Sequence, residues 1–84
     1  MYYLYILKSR VDQELYIGYT DNLKRRLSEH NNGKVKSTKS RKPFKLRYYE
    51  AFFSENDARK RECSLKKDGK ALGQLKRRIS ESLQ

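Results

Sequence analysis

The sequence predicts an α+β fold: a small three-stranded antiparallel sheet flanked by helices, in the order ββαβαα. Three observations predict it. Two runs rich in aromatic and branched residues, Tyr2 to Lys8 and Leu15 to Thr20, are separated only by the polar stretch SRVDQE. A third such run, Lys45 to Phe53, follows the single proline, Pro43. Helix-start and helix-stop residues bracket the segments between and after these runs.

The first two strands most simply form an antiparallel hairpin. Alternation puts Tyr3, Tyr5 and Leu7 on one face and Leu4 and Ile6 on the other. Gly18 inside the second strand predicts a bulge or a close backbone approach.

Asp21 is a suitable N-cap for a helix beginning at Asn22, and Asn32-Gly33 a suitable stop. With about 3.6 residues per turn, Leu23, Leu27 and His30 fall in one stripe, with Arg26 on its edge. His30 and Arg26 are therefore predicted to face the hairpin. A flexible basic loop over 34–45 leads to the third strand, where Leu46, Tyr48 and Phe52 are predicted to share a face.

Ser54 to Asp57 has capping-box spacing, and the helix after it puts Ala58, Glu62 and Leu65 on one stripe. Asp68-Gly69 breaks that helix. A last helix over about 70–83 follows, with Leu72, Leu75, Ile79 and Leu83 on its apolar face.

At 84 residues, with no internal repeat and no linker-like stretch, the chain is expected to be one domain, 1–84, with little apolar surface to spare from its core. Net charge is +11, from 21 Lys and Arg against 10 Asp and Glu, which calls for an anionic partner, nucleic acid first. The charge is concentrated. Residues 34–49 hold seven bases and no acid, so Lys34, Lys36, Lys39, Arg41 and Lys42 are expected to meet phosphates. No apolar run is long enough to span a bilayer, and the N-terminal YYLYILK is too short for the core of a signal peptide. The lone Cys63 fits a reducing cytoplasm, and one Cys with one His argues against a structural zinc site.

An inward carboxylate must be paired, hydrogen-bonded or bound to a metal. Glu62 therefore either forms an ion pair, with Arg26 or another cation, or is a hard oxygen ligand for Mg²⁺. A lone inward histidine is ordinarily a hydrogen-bonded core residue. Arg26 one turn before His30 adds a second possibility, because guanidinium and imidazole together suit phosphate binding and proton transfer. Most of the seven tyrosines must serve packing. Composition and spacing reach a nucleic-acid-binding domain with an inward polar cluster, and they stop short of catalysis.

The motifs go further. Ten residues separate Tyr3-Leu4-Tyr5 from Tyr16-Ile17-Gly18, and Arg26, His30 and the helix Ala58-Arg59-Lys60-Arg61-Glu62 follow in order. Over residues 2 to about 67 the chain closely resembles the GIY-YIG nuclease family, in particular small stand-alone bacterial members related to the incision module of excision repair. The second motif matches fully. In the first, Tyr-Leu replaces Gly-Ile, and the asparagine that many members carry late in the fold has no counterpart after Asn56.

The resemblance implies one-metal hydrolysis of phosphodiester bonds, in DNA ahead of RNA, with a place in repair or recombination. It implies Mg²⁺ or Mn²⁺ on Glu62 and charge neutralisation by Arg26. Tyr5 or Tyr16 would deprotonate water and His30 receive the tyrosine's proton, with Tyr5 the favoured base and Lys8 a candidate helper and nucleic-acid contact. An ordinary tyrosine is only about 0.1% ionised at pH 7, so cations must lower its pKa or His30 must act in concert. The alternative is a catalytically weak or inactive nucleic-acid-binding protein on the same scaffold, and behind it a basic accessory that binds RNA or a ribosomal surface. A monomer or weak dimer is expected.

Overall fold

The computed structural model describes all 84 residues. The elements are β1 (Tyr2–Ser9), β2 (Leu15–Thr20), α1 (Leu23–Asn31), a 3₁₀ helix (Lys36–Arg41), β3 (Phe44–Phe52), α2 (Glu55–Lys67) and α3 (Gly69–Arg78). The fold is α+β, with one antiparallel sheet in the order β2-β1-β3.

β1 is central because it is apolar on both faces, and Leu4, Tyr5, Ile6 and Leu7 are all buried. Leu4 and Ile6 pack with Ile17 of β2, Leu65 of α2 and Leu75 of α3. Tyr5 and Leu7 pack with Phe44 on the other face, where α1 contributes Leu23 and Leu27. The sheet is therefore sandwiched between α1 and the α2–α3 pair. Arg61 of α2 reaches Glu50 of β3 at 3.0 Å, fastening one layer to the other.

Several local expectations are revised. Asn22, not Asp21, caps α1: its Oδ1 accepts from the Arg25 N–H at 3.0 Å, while Asp21 is drawn into an ion pair with Arg25 at 2.6 Å. The Thr20 hydroxyl accepts from the Asn22 N–H, which holds the chain extended for one more residue. Ser54 caps α2 without a side-chain bond, so the capping box does not form. Instead Glu55 and Asp57 place negative charge against the positive end of the helix.

The basic loop is not a loop throughout, because a 3₁₀ helix occupies its middle with Thr38 fully buried. β3 is also irregular. Leu7 pairs with Leu46 and Ile6 with Tyr48, leaving Arg47 as a bulged residue without a partner. The bulge breaks the expected common face: Tyr48 and Phe52 pack on the α2–α3 side, and Leu46 on the α1 side. α3 stops at Arg78, short of 83, yet Ile79 and Leu83 still reach the core from the turns that follow.

Candidate active site

Tyr5 stands on the central strand directly opposite Gly18 of β2. Its phenol lies across that glycine so closely that a Cβ there would meet the Tyr5 Oη at 2.6 Å. The close backbone approach expected of Gly18 thus has a definite cause: the second motif ends in glycine because the tyrosine of the first motif lies over it.

The Tyr5 Oη is 3.0 Å from Nε2 of His30, and the pair is buried. Nδ1 of His30 is 2.8 Å from the Thr38 hydroxyl, whose oxygen is a longer 3.4 Å from the Val35 carbonyl. These partners determine where the protons sit. A carbonyl only accepts, so Thr38 donates to Val35 and accepts from the His30 Nδ1–H. Nε2 is then an acceptor, and the Tyr5 O–H donates to it. Arg26 agrees from the other end, since the guanidinium beside Tyr5 has only donors and leaves the phenolic proton for the imidazole.

Burial pushes the Tyr5 phenol up to about 12; Arg26 pulls the other way, and the neighbouring Tyr16 and Glu62 add to the rise. Burial, with Arg26 contributing, pulls His30 down to about 4. The imidazole is enclosed by aromatic rings, with centroids of Tyr16, Phe44 and Tyr5 at 4.9, 5.8 and 5.9 Å. At neutral pH the pair is therefore uncharged, a phenol donating to a neutral imidazole. Of the two expected routes, lowering of the phenol's pKa by surrounding cations is not met, because burial outweighs them, and concerted action with His30 is the one left open.

Arg26 is half-buried, its Nη1 held by Glu29 at 3.1 Å. It also borders an open concavity of about 500 Å³ lined by Tyr2, Tyr19, Thr20, Asp21, Arg25 and Glu55. Glu62 of α2 meets Lys66 at 3.1 Å rather than Arg26, and the Lys66 ammonium stands 5.7 Å from the Tyr16 ring centroid. Tyr5, Tyr16, Arg26, His30 and Glu62 are thus brought to one region from four elements.

The model match decides the family: residues 1–80 fit that of the GIY-YIG catalytic domain. The chain belongs to the GIY-YIG family. It is similar to a UPF0213 protein of Clostridium perfringens, at 47% identity over 68 residues, 80% of this chain and 72% of the relative. A UPF0213 protein of Staphylococcus haemolyticus is 46% identical over 66 residues, 77% of this chain and 79% of the relative. The solution NMR structure of a UPF0213 protein from Bacillus halodurans superposes with a TM-score of 0.52 at 36% identity, covering 90% of this chain and 86% of the other. The family is a nuclease superfamily; the relatives' names state no activity.

As a GIY-YIG metal site the donor set is small. The resemblance implies one carboxylate ligand, Glu62, and no three His, Cys, Asp or Glu side chains gather anywhere in the chain. That set fits Mg²⁺ or Mn²⁺, which commonly takes one or two carboxylates and fills its remaining positions with water and phosphate; it does not fit zinc.

Of the cations expected to meet nucleic acid, Lys34, Lys36, Lys39 and Lys42 are exposed. Arg41 is engaged instead, with Asp12 at 2.7 Å and with its guanidinium over the Phe44 ring. Lys8 points to the face opposite Tyr5 and donates to the Leu83 carbonyl at 2.7 Å, so it is no helper to the phenol. Thr38 and Lys66 were not expected here. The four-residue spacing from Glu62 to Lys66 was a visible signal. Nothing local marked Thr38, one of several hydroxyls in a basic stretch.

Proposed function

We propose that the protein is a divalent-metal-dependent endonuclease that hydrolyses phosphodiester bonds in DNA, with repair or recombination as its setting and the cytoplasm as its compartment. The single observation that carries this reading is the directed chain from Tyr5 through His30 to Thr38 beside the Arg26 guanidinium.

The Tyr5 oxygen can accept a proton from an attacking water as its own proton passes to Nε2 of His30. Thr38 keeps the imidazole in the tautomer that can receive it. The low basicity of free His30 opposes this step, and the substrate relieves part of that opposition. A phosphate paired with Arg26 neutralises the charge that, after burial, most depresses His30. Arg26 then serves twice, holding the phosphoryl oxygens and releasing His30 to act as a base. Glu62 would hold Mg²⁺ or Mn²⁺, which when bound supplies Lewis-acid polarisation of the phosphate. Tyr16, set edge-to-face against His30, would shape the wall against which water and phosphate are placed.

The test is incubation of purified protein with nicked, branched and single-stranded DNA, with and without Mg²⁺ or Mn²⁺. Glu62→Ala should abolish metal-dependent cleavage and keep salt-sensitive binding. Undiminished cutting by that variant would remove the metal role from Glu62. A second reading, a binding protein without turnover, is favoured by one observation: the pKa values of Tyr5 and His30, about 12 and about 4, both oppose proton transfer in the free protein. Binding without cleavage, unchanged by Glu62→Ala, would establish it.

A further inference from the structure

Outside this site, the chain gathers cations where nothing balances them. A hollow of about 160 Å³ at the turn end of the sheet is lined by Lys8, Ser9, Arg10, Gln13, Lys45 and Arg47, four cations without a carboxylate. Elsewhere five of the ten acids are held in ion pairs: Asp21 with Arg25, Glu29 with Arg26, Asp12 with Arg41, Glu50 with Arg61, and Glu62 with Lys66.

Two features make the hollow more than a solvated face. The sheet register sets Lys8 directly opposite Lys45, and like charges at such a position weaken strand pairing. The bulged Arg47 buries its Nε, and no acceptor of the chain takes that N–H. A buried donor without an acceptor has lost water and gained nothing in return, so both features are unfavourable in the chain alone. An anion in the hollow offsets the like charges of Lys8 and Lys45 and lies against the Arg47 side chain that lines it. The space suffices, since a water occupies about 30 Å³ and a phosphate group displaces only a few.

The geometry points to a phosphate-binding site between Lys8, Arg10, Lys45 and Arg47, built by the strand register and the β3 bulge. Lys8 faces away from Tyr5, so the phosphate held there is not the one beside the catalytic phenol. It is either a more distant phosphate of a bound nucleic acid or a free phosphate, with the same oxygens meeting the same donors. The site stands independently of the nuclease reading.

Nuclear magnetic resonance of the arginine Nε–H groups tests it on the intact protein, with inorganic phosphate and a short DNA duplex as separate probes. The Arg47 Nε–H signal should shift saturably, and Lys45→Gln, an exposed change, should require about tenfold more probe. Movement with both probes assigns the site to nucleic-acid backbone; movement with inorganic phosphate alone assigns it to free phosphate. An Arg47 signal that responds to neither, or that titrates identically in Lys45→Gln, overturns the proposal, even if the duplex shifts Arg26. An Arg47 response in a protein that cuts no DNA supports the site while the nuclease reading fails.

Discussion

The Tyr5 hydroxyl donates to Nε2 of His30 across 3.0 Å, inside the protein, with a threonine holding the imidazole from behind. Phenol and imidazole are twenty-five residues apart in the chain and act as one unit.

Thr38 should matter to turnover although it touches no substrate. In Thr38→Val the Nδ1–H loses its acceptor, and the imidazole is free to reverse its tautomer. Positioned proton transfer contributes about 100- to 10,000-fold to a rate, and losing the orientation should forfeit roughly ten- to a hundredfold of it. Nitrogen chemical shifts of His30 should move toward the other tautomer, and Thr38→Ser should restore both shift and rate. A Thr38→Val enzyme with wild-type shifts and rate would make the contact incidental.

His30 should also leave a mark on stability. Its pKa falls from 6.5 to about 4 on folding, so between those values the unfolded chain binds the proton first. Stability from this residue is fully present above pH 6.5 and is lost as pH falls toward 4. Tyr5 works in the opposite sense at high pH. Its raised pKa contributes stability below pH 10 that is lost as pH climbs toward 12. Urea midpoints from pH 7 to pH 4 should decline less steeply in His30→Gln than in wild type, and equal slopes would contradict the assignment.

Gly18→Ala should displace the Tyr5 ring. The added methyl would lie 2.7 Å from Cζ as well as close to the hydroxyl, and both belong to a buried side chain. Overpacking of this kind costs about 1–3 kcal/mol. The melting temperature should drop by several degrees, and the Tyr5 and His30 ring signals should change together. A variant with unaltered ring signals would show that the strands shift instead.

Lys66 should compete with metal. Its ammonium occupies the Glu62 carboxylate at 3.1 Å, the same oxygens that Mg²⁺ or Mn²⁺ would take. Lys66→Met should tighten Mn²⁺ binding severalfold, read by paramagnetic relaxation of water protons without DNA present, and Glu62→Gln should abolish the signal. Identical affinities for wild type and Lys66→Met would exclude competition.

Much of the frame was legible in sequence because it follows local periods and caps. Leu4 and Ile6 against Tyr5 and Leu7 is simple alternation, and Leu23, Leu27 and His30 on one stripe is the helical repeat. The motif residues Tyr5, Tyr16, Arg26, His30 and Glu62 could likewise be named in order, and the family that they resemble is the one whose model fits. Partner choice was not legible, because it depends on which groups meet across elements once water has left. Only the tertiary structure decided that Glu62 faces Lys66 rather than Arg26, that Arg41 belongs to Asp12, and that Thr38 reaches His30. The bulge at Arg47 belongs with these, since one unpaired residue turned Leu46 to the other face. Periodicity is a property of neighbours along the chain, whereas the satisfaction of buried polar groups is a property of neighbours in space, and the chemistry of this site rests on the second.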